Sequence, residues 1–506
     1  MEEGPRHYPD WKAPSEDGKP VIWPAAPQLL QQTRENQKHL SAAYDVLIQN
    51  VPLPQLRQRM REFVGHADPS QPLLGTGHQS ELYHAGVWVK NVLIDAAAQR
   101  LGGGQAFHVA VDTDAPKHLT LRWPPNESAP ITDDPAIASA AWAGLLAPPT
   151  PAHLDAILRK LHGASSVWSF RPLLSDVIGS LKRLAMESNT LPAALTNVTH
   201  ELDWQLGLRH HLLLASPIWG SDPFLVFVHD LLARADSVAA HYNAALEAYR
   251  KANGMSSRSR PMPDLFVSDE AVEVPFWLDD LHGGTRSRPS VFKSDRGFML
   301  ELVNGEEFVF DPSADGWEAA ERLRRWLSES RHRIAPRALM LTMFLRLAMV
   351  DQFVHGIGGA RYDQVTDRLI QSHYGLEPPS FSVTTATMYF PDALSRERVC
   401  VPCVKREGHR LRHALLGERK RELVAQIDSL PRRSTERANR FYQMHNDLAD
   451  AAASSDVMRR WQEQLRQTQE REKEEQTLFD RELFYAIQPR DRLLKMIGRY
   501  HELMNT

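Results

Sequence analysis

"PLLGTGHQSELYHAGVWVKN", Pro72–Asn91, decides the fold. A short apolar run meets two glycines, and a polar patch then leads into a second apolar segment at Ala85. The pattern predicts a buried strand ending in a glycine turn, then a helix from about Gly86 to Arg100. Gly102–Gly104 supply the helix stop. "AFHVAVDTD" (Ala106–Asp114) reads as the next strand, closed by two aspartates. Strand, glycine turn, helix, strand is the βαβ unit of a parallel sheet.

Parallel sheets bind ligands at the carboxyl ends of their strands, so this stretch also holds the first candidate site. Gly75 and Gly77 let backbone approach a ligand closely, and His78 and Gln79 can donate to an oxyanion. Lys90, about one turn into the helix, can reach back toward a phosphate as a point charge. Asp112 and Asp114 suit Mg²⁺, a sugar hydroxyl or an amine. The same residues fit a plainer account, in which the glycines shape a turn, His84 caps the helix, Lys90 is solvated and the aspartates cap a loop. The residues alone leave both accounts open.

Further along, "PRALMLTMFLRLAMVDQFV" (336–354) predicts one buried core helix with Pro336 in its first turn. It stops at "HGIGGARYD" (355–363), where Gly356, Gly358 and Gly359 precede another helix. That shape suits an anion or a close-packing turn. Its spacing is not G-x-G-x-x-G, and the Walker lysine is absent. "SFSVTTATMYF" (380–390) reads as a strand, so the sheet resumes after a long insertion. Within the insertion, 133–247 is helical apart from the strand-like "HHLLLASP" (210–217), and 264–310 alternates as β-structure. Residues 410–480 are dense in Arg, Glu, Gln and Lys, which predicts an antiparallel helical hairpin or short coiled coil reversing near Ala453–Asp456.

Composition sets the outer bounds. The chain has 506 residues, 42% of them hydrophobic and 24% charged, as in soluble globular proteins. A net charge of −4 gives no electrostatic case for nucleic acid. The opening residues lack the apolar core of a signal peptide, and the longest apolar segment is broken by Arg346 and too short for a bilayer. The expectation is a cytoplasmic protein with a small-molecule substrate and no nucleic-acid or membrane partner. Two cysteines exclude a disulfide framework and suit a reducing compartment. Cys400-x-x-Cys403 with His409 and His413 forms a Cys₂His₂ metal candidate, although its Cys-to-His gap is short for a zinc finger. A thioredoxin-type redox motif would lack its βαβ surroundings here. No G-x-S-x-G elbow or H-E-x-x-H is present.

"TGHQSELYHAGVWVKN" resembles the "TGQQ…L.TGP.YT..K" opening of the bacillithiol biosynthesis cysteine-adding enzymes. "FHVAVDTDAPKH" falls where that family has a strand ending in an acidic cluster, and "PRALMLTMFLRLAMVDQFVHGIGGARYDQV" is similar to its second glycine region. The resemblance implies a nucleotidyltransferase-like Rossmann core over 1–410, with helical and β insertions at about 130–330. It further implies a coiled-coil hairpin over 411–482 that forms a homodimer, and a closing segment, 483–506, packed back on the core. The implied activity is ligation of an amino acid, cysteine in the family, to an amino-sugar-type amine, here drawing on ATP and Mg²⁺. Carried over, Gly77, His78 and Gln79 line the pocket, Lys90 takes the place of the motif lysine, and Asp112 and Asp114 match two members of the acidic cluster. His84 and Gly86 stand where the family has "TGP", and Gly358, Gly359 and Tyr362 match the second glycine region. The cluster's histidine is missing unless His118 replaces it, and no KMSKS-type loop is visible. The alternatives are a nucleotide-binding or small-molecule-binding protein without turnover, and a nucleotidyltransferase.

Overall fold

A six-stranded sheet organises the larger of two compact units, formed by residues 1–121, 129–388 and 481–506. Its strands are β1 (Lys19–Trp23), β2 (Leu73–Gln79), β3 (Gln105–Val111), β4 (His211–Leu214), β5 (Gln352–His355) and β6 (Phe381–Thr387). They lie in the order β1-β6-β5-β2-β3-β4. Every neighbouring pair is parallel except β1–β6 at the edge. The computed structural model describes residues 8–257, 259, 262–294, 297–302, 305–395 and 397–505. Of the opening residues read above for a signal peptide, 1–7 lie outside the described residues.

The glycines of the opening stretch do not make a turn. β2 runs through both, and a side chain at either position would crowd its neighbours. A Cβ on Gly75 would come within 2.6 Å of Val350 Cγ1, and one on Gly77 within 3.3 Å of the Val109 carbonyl oxygen. After β2 the chain enters α1 (Ala85–Arg100), most of whose residues are buried. Gly102 and Gly103, at φ +66° and +113°, then turn the chain into β3.

The long apolar segment is not one helix. It comprises the end of a strand (His332–Pro336), a short helix (Ala338–Phe344), a π turn (Leu345–Met349) and β5. Pro336 therefore ends a strand and does not begin the helix. All four β5 residues are buried. A parallel strand covered on both faces has no alternation, so its sequence merges with a buried helix. α2 (Ile357–Tyr374) follows β5 directly and leads to β6.

This topology positions the site. β2 and β5 are neighbours, yet the path β2–α1–β3 leaves to one side of the sheet and β5–α2–β6 to the other. Where strand order reverses in this way, a crevice opens outside the carboxyl ends of the two strands.

The insertion holds helices, among them Pro151–Ser165, Leu174–Glu187 and Leu191–Gln205, and two antiparallel sheets. The three-stranded sheet pairs Phe276–Asp280 with Thr285–Ser287 and His332–Pro336. Helix Asp222–Ala233 is buried along most of its length and joins the main core through Phe224 and Phe227. The closing helix Arg490–Asn505 packs against α1.

The smaller unit comprises residues 122–128 and 389–480. It is built on α3 (Val401–Ala414), α4 (Gly417–Ser429), α5 (Thr435–Ser454) and α6 (Asp456–Glu475). α4 packs on α5 and α3 on α6, as an antiparallel hairpin. The reversal falls at 430–434, with Pro431 and with Arg433 at φ +72°, and not at 453–456 as expected. Ser455 there caps α6, its hydroxyl accepting from the Met458 N–H. The hairpin thus begins at Val401 and holds Leu423, Ile427, Met444 and Leu448 as its buried seam.

Gly408 is where the indole of Trp461 presses on α3, and the indole N–H donates to the Val404 carbonyl at 2.8 Å. A Cβ on Gly408 would run into the Trp461 ring. Gly408→Ala is therefore expected to cost about 1–3 kcal/mol locally, by overpacking. Hydrogen exchange of the full chain checks this, since 401–414 and 456–475 should lose protection together. Unchanged protection would refute the contact. Among the described residues no helix is long and apolar enough to cross a membrane.

Candidate functional site

The crevice at the switch point is a cleft of about 460 Å³ within the larger unit. Its floor comes from the ends of β2 and β5 and from the first turns of α1 and α2, including Gly77, His78, His355 and Gly358. Trp277, Pro336, Leu341 and Phe353 give it an apolar wall. Two helix amino termini open into it, and such termini present unpaired N–H groups and a partial positive charge. At α2 the capping position is Gly356, which has no side chain to satisfy those donors. At α1 the cap is His84, whose Nδ1 accepts from the Gly86 N–H at 3.0 Å.

Lys90 is the central cation. It is 3% exposed, so it is not the solvated lysine of the plainer account. Its ammonium reaches back along α1 and donates to the Gly77 carbonyl at 2.7 Å. Burial drags its pKa down to about 7, against a partial lift from Glu81. Glu81, also buried, is pushed up to about 7 by desolvation, with Lys117 and Lys90 opposing. Its Oε1 lies 3.4 Å from His78 Nδ1. Among the described residues its Oε2 has no hydrogen-bond partner. Burial, with Lys90 next, holds the His78 imidazole well below its usual range. Burial and then Arg481 bring His84 to about 4. At neutral pH both imidazoles are uncharged hydrogen-bonding groups.

Gly86 explains how close the walls come. A Cβ there would fall within 2.6 Å of an Arg481 nitrogen, 2.7 Å of Thr385 Oγ1 and 2.8 Å of the His84 ring. Arg481 is held by Thr385 Oγ1 at 3.1 Å and the Ala386 carbonyl at 3.2 Å. α1 itself is fixed from behind. Asp203 accepts from Trp88 Nε1, Asn91 Nδ2 and the Tyr485 hydroxyl at 2.8, 2.9 and 3.0 Å.

His355, at the end of β5, faces the same cleft and is paired from behind with Asp363 of α2. His355 Nε2 lies 2.9 Å from Asp363 Oδ2, and a Cβ on Gly359 would sit 2.9 Å from the ring's other nitrogen. Burial alone would raise the Asp363 carboxyl, but Arg346, His355 and Thr342 hold it well below the usual carboxylate range. Arg346 donates to Asp363 and Asp367 at 2.5 Å each. An imidazole oriented by an ionised aspartate has the make-up of a general base.

The cleft thus gathers Gly77, His78, Gln79, His84, Gly86, Lys90, Asp114, Gly358 and Gly359. Three expected site residues lie elsewhere. Gly75 is buried in β2 against Val350. Asp112 points away and accepts from Ser216 N and Oγ, at 2.9 and 2.5 Å, capping the short helix Ala215–Ile218. Tyr362 is 44% exposed on α2, three residues past the glycine that touches His355. Asp114 is committed within the cleft, its Oδ2 accepting from Gln79 at 2.8 Å and its Oδ1 from the Ala115 N–H at 3.0 Å. Among the described residues no group of three or more His, Cys, Asp or Glu side chains is arranged to hold a metal ion. The Cys₂His₂ set in particular does not assemble. Cys400 and Cys403 are joined in a disulfide, and His409 and His413 face each other one turn apart with Nε2 atoms 3.1 Å apart. The metal candidate is thereby corrected: the two cysteines that would ligate are spent on each other in one local bridge.

Neither a known family model nor a curated protein matches the chain. What the cleft can do follows from its groups: two helix termini and two basic side chains favour an anion, the apolar wall favours a ring, and the dyad can take a proton. Sequence reading missed His355, Asp363, Thr385 and Arg481. "HGIGGARYD" did carry a signal, a histidine eight residues before an aspartate across a strand-to-helix junction. Arg481 carried none, because even its nearest partners in the site, Thr385 and Ala386, lie 96 and 95 residues before it.

Proposed function

We propose that this cleft binds an anionic ligand of the nucleotide class, and that the protein is a ligase forming an amide between an amino acid and an amino-sugar-type amine. The carrying observation is the convergence of two helix amino termini with Lys90 and Arg481 in one cleft at the switch point. The sheet order and its two opposed crossovers support a Rossmann-like reading of the core. The resemblance of the Thr76–Asn91 stretch supports the ligase chemistry.

Such a reaction needs an activated carboxyl. A carboxylate oxygen attacks the α-phosphorus of ATP and pyrophosphate leaves; the amine then attacks the acyl carbon and AMP leaves. Backbone N–H groups and Lys90 would stabilise the phosphate charge, and His355 would accept the amine's proton. Mg²⁺ would enter on the nucleotide's own phosphates, as is usual for this ion.

Titration with Mg-ATP and AMP by calorimetry tests the binding step. Saturable binding is expected, weakened at least ~10-fold in Arg481→Met by loss of a charge-assisted contact. His355→Asn is expected to bind as wild type does, while amine-dependent AMP release falls about 10²–10⁴-fold. Binding without AMP or pyrophosphate release under any amine and carboxylate would favour a binding protein, and pyrophosphate release with AMP retained on product would favour nucleotidyl transfer. No binding at millimolar nucleotide would overturn the proposal.

A further inference from the structure

We propose that the Cys400–Cys403 pair is a thiol–disulfide exchange site that reacts with small anionic thiols. Both residues are exposed, and their sulfurs are already joined in a bridge spanning three residues. The bridge sits at the start of α3, a helix of fourteen residues. Cys400 is its capping residue, and its Sγ accepts the Cys403 N–H at 3.1 Å. That N–H is one of the donors a helix start leaves unpaired, and a thiolate accepts it better than a thiol does. A second observation is independent of the helix terminus. Arg406 Nη2 lies 3.4 Å from Cys403 Sγ, so each sulfur has its own partner for negative charge. Cys403 shares a surface depression with Arg406, Glu407, His409 and Arg410. Its one acid, Glu407, is taken by Arg410 at 2.5 Å. The surroundings are net cationic, which favours an incoming thiol bearing carboxylates. A thioredoxin-type βαβ setting is absent, but the chemistry needs partners for negative charge on sulfur and access, and both are supplied locally.

The exchange balances with a low-molecular-weight thiol as reductant. A thiolate attacks Cys400 Sγ, the Cys400–Cys403 bond breaks, and Cys403 leaves as a thiolate beside Arg406. A second thiolate attacks the outer sulfur of the mixed disulfide, and Cys400 leaves as a thiolate on the Cys403 N–H. Two thiols become one small-molecule disulfide, and two electrons pass to the protein, which ends as a dithiol. Against a small disulfide the same steps run in reverse.

The test uses the full-length protein and glutathione as probe, with alkylation and mass spectrometry as readout. In Cys403→Ser, Cys400 is expected to attack oxidised glutathione and keep one half as a stable mixed disulfide, the other half leaving as reduced glutathione. In the reduced wild type, one thiol is expected to alkylate at pH 6 at least ~10-fold faster than free cysteine, as a lowered thiol pKa requires. Arg406→Met should slow reduction of the bridge, because Cys403 becomes the poorer leaving group. A bridge that resists millimolar glutathione, or reduced thiols that alkylate no faster than free cysteine, would overturn the proposal. The serine variant replaces one exposed sulfur atom by oxygen, and a circular dichroism spectrum matching that of the wild type is the check that it remains folded.

Discussion

Lys90→Met is expected to fold more stably than the wild-type chain and to lose nucleotide binding. Holding a lysine near 7 when its ordinary value is 10.5 costs on the order of 4 kcal/mol of folding free energy at neutral pH. Methionine fills the same space without that cost. The bond to the Gly77 carbonyl is lost as well, which gives back about 1–2 kcal/mol. A net gain of about 2–3 kcal/mol remains, read from urea denaturation at pH 7. The pH dependence has a definite sign. The unfolded chain keeps the Lys90 proton up to 10.5 while the folded chain releases it near 7, so the native penalty fades as pH rises across that window. Glu81 acts in the window below, from 4.5 to about 7, where the folded state keeps a proton that the unfolded state gives up. Its penalty grows as pH rises there. The two together place the weakest point of native stability near neutrality, and the gap between variant and wild type should shrink toward pH 10. An anion against Lys90 would reverse its desolvation, so wild type should take up a proton on binding at pH 8, seen as a dependence of the binding enthalpy on buffer. A variant that is less stable and still binds would make Lys90 a tether of β2 to α1 and nothing more.

The sequence carried the βαβ unit because its three elements differ in kind: a short apolar run, a polar patch and a long apolar helix ended by glycines. It misled at β5, where four buried residues follow an apolar segment with Asp351 as the one polar break and no glycine or proline between them. That one strand supplies half of the switch point, so the crevice could be placed on β2 but not closed. The same limit decided the site. His78, His84 and Lys90 come from one contiguous stretch and were legible together. His355, Thr385 and Arg481 reach the cleft from strands and a segment hundreds of residues away, and pairing in space leaves no local pattern. Asp112 shows the opposite failure. It follows a strand just as a ligand-binding carboxylate would, yet its oxygens are spent on Ser216, a partner no spacing rule reveals.

Asp351→Ala is expected to destabilise the larger unit by about 3–5 kcal/mol. Its carboxylate is fully buried, with Arg57 Nη2 at 2.6 Å on one oxygen and Arg61 Nη2 at 2.7 Å on the other. The Leu73 N–H donates to the same carboxylate at 2.7 Å, and the Asp351 N–H donates to the Leu73 carbonyl at 2.7 Å. Asn36 closes the set on the Asp351 carbonyl at 2.7 Å. Removing the carboxylate leaves two guanidinium groups and one N–H buried without their partner. Burial already lowers Arg57 to about 10 despite Asp351, which shows how hard the site is on an uncompensated cation. Replacing all three by leucine is expected to recover most of the loss, since buried ion groups often do no better than apolar side chains of similar volume. A single variant within about 1 kcal/mol of wild type would sink this account. The network stands at the amino ends of β2 and β5, opposite the ends that form the cleft. It fixes the relative register of the two strands whose divergence makes the crevice. The triple variant therefore separates stability from alignment. If it refolds fully but binds nucleotide more weakly, the ion network is retained for the register of the site, whereas unchanged affinity would assign it to folding alone.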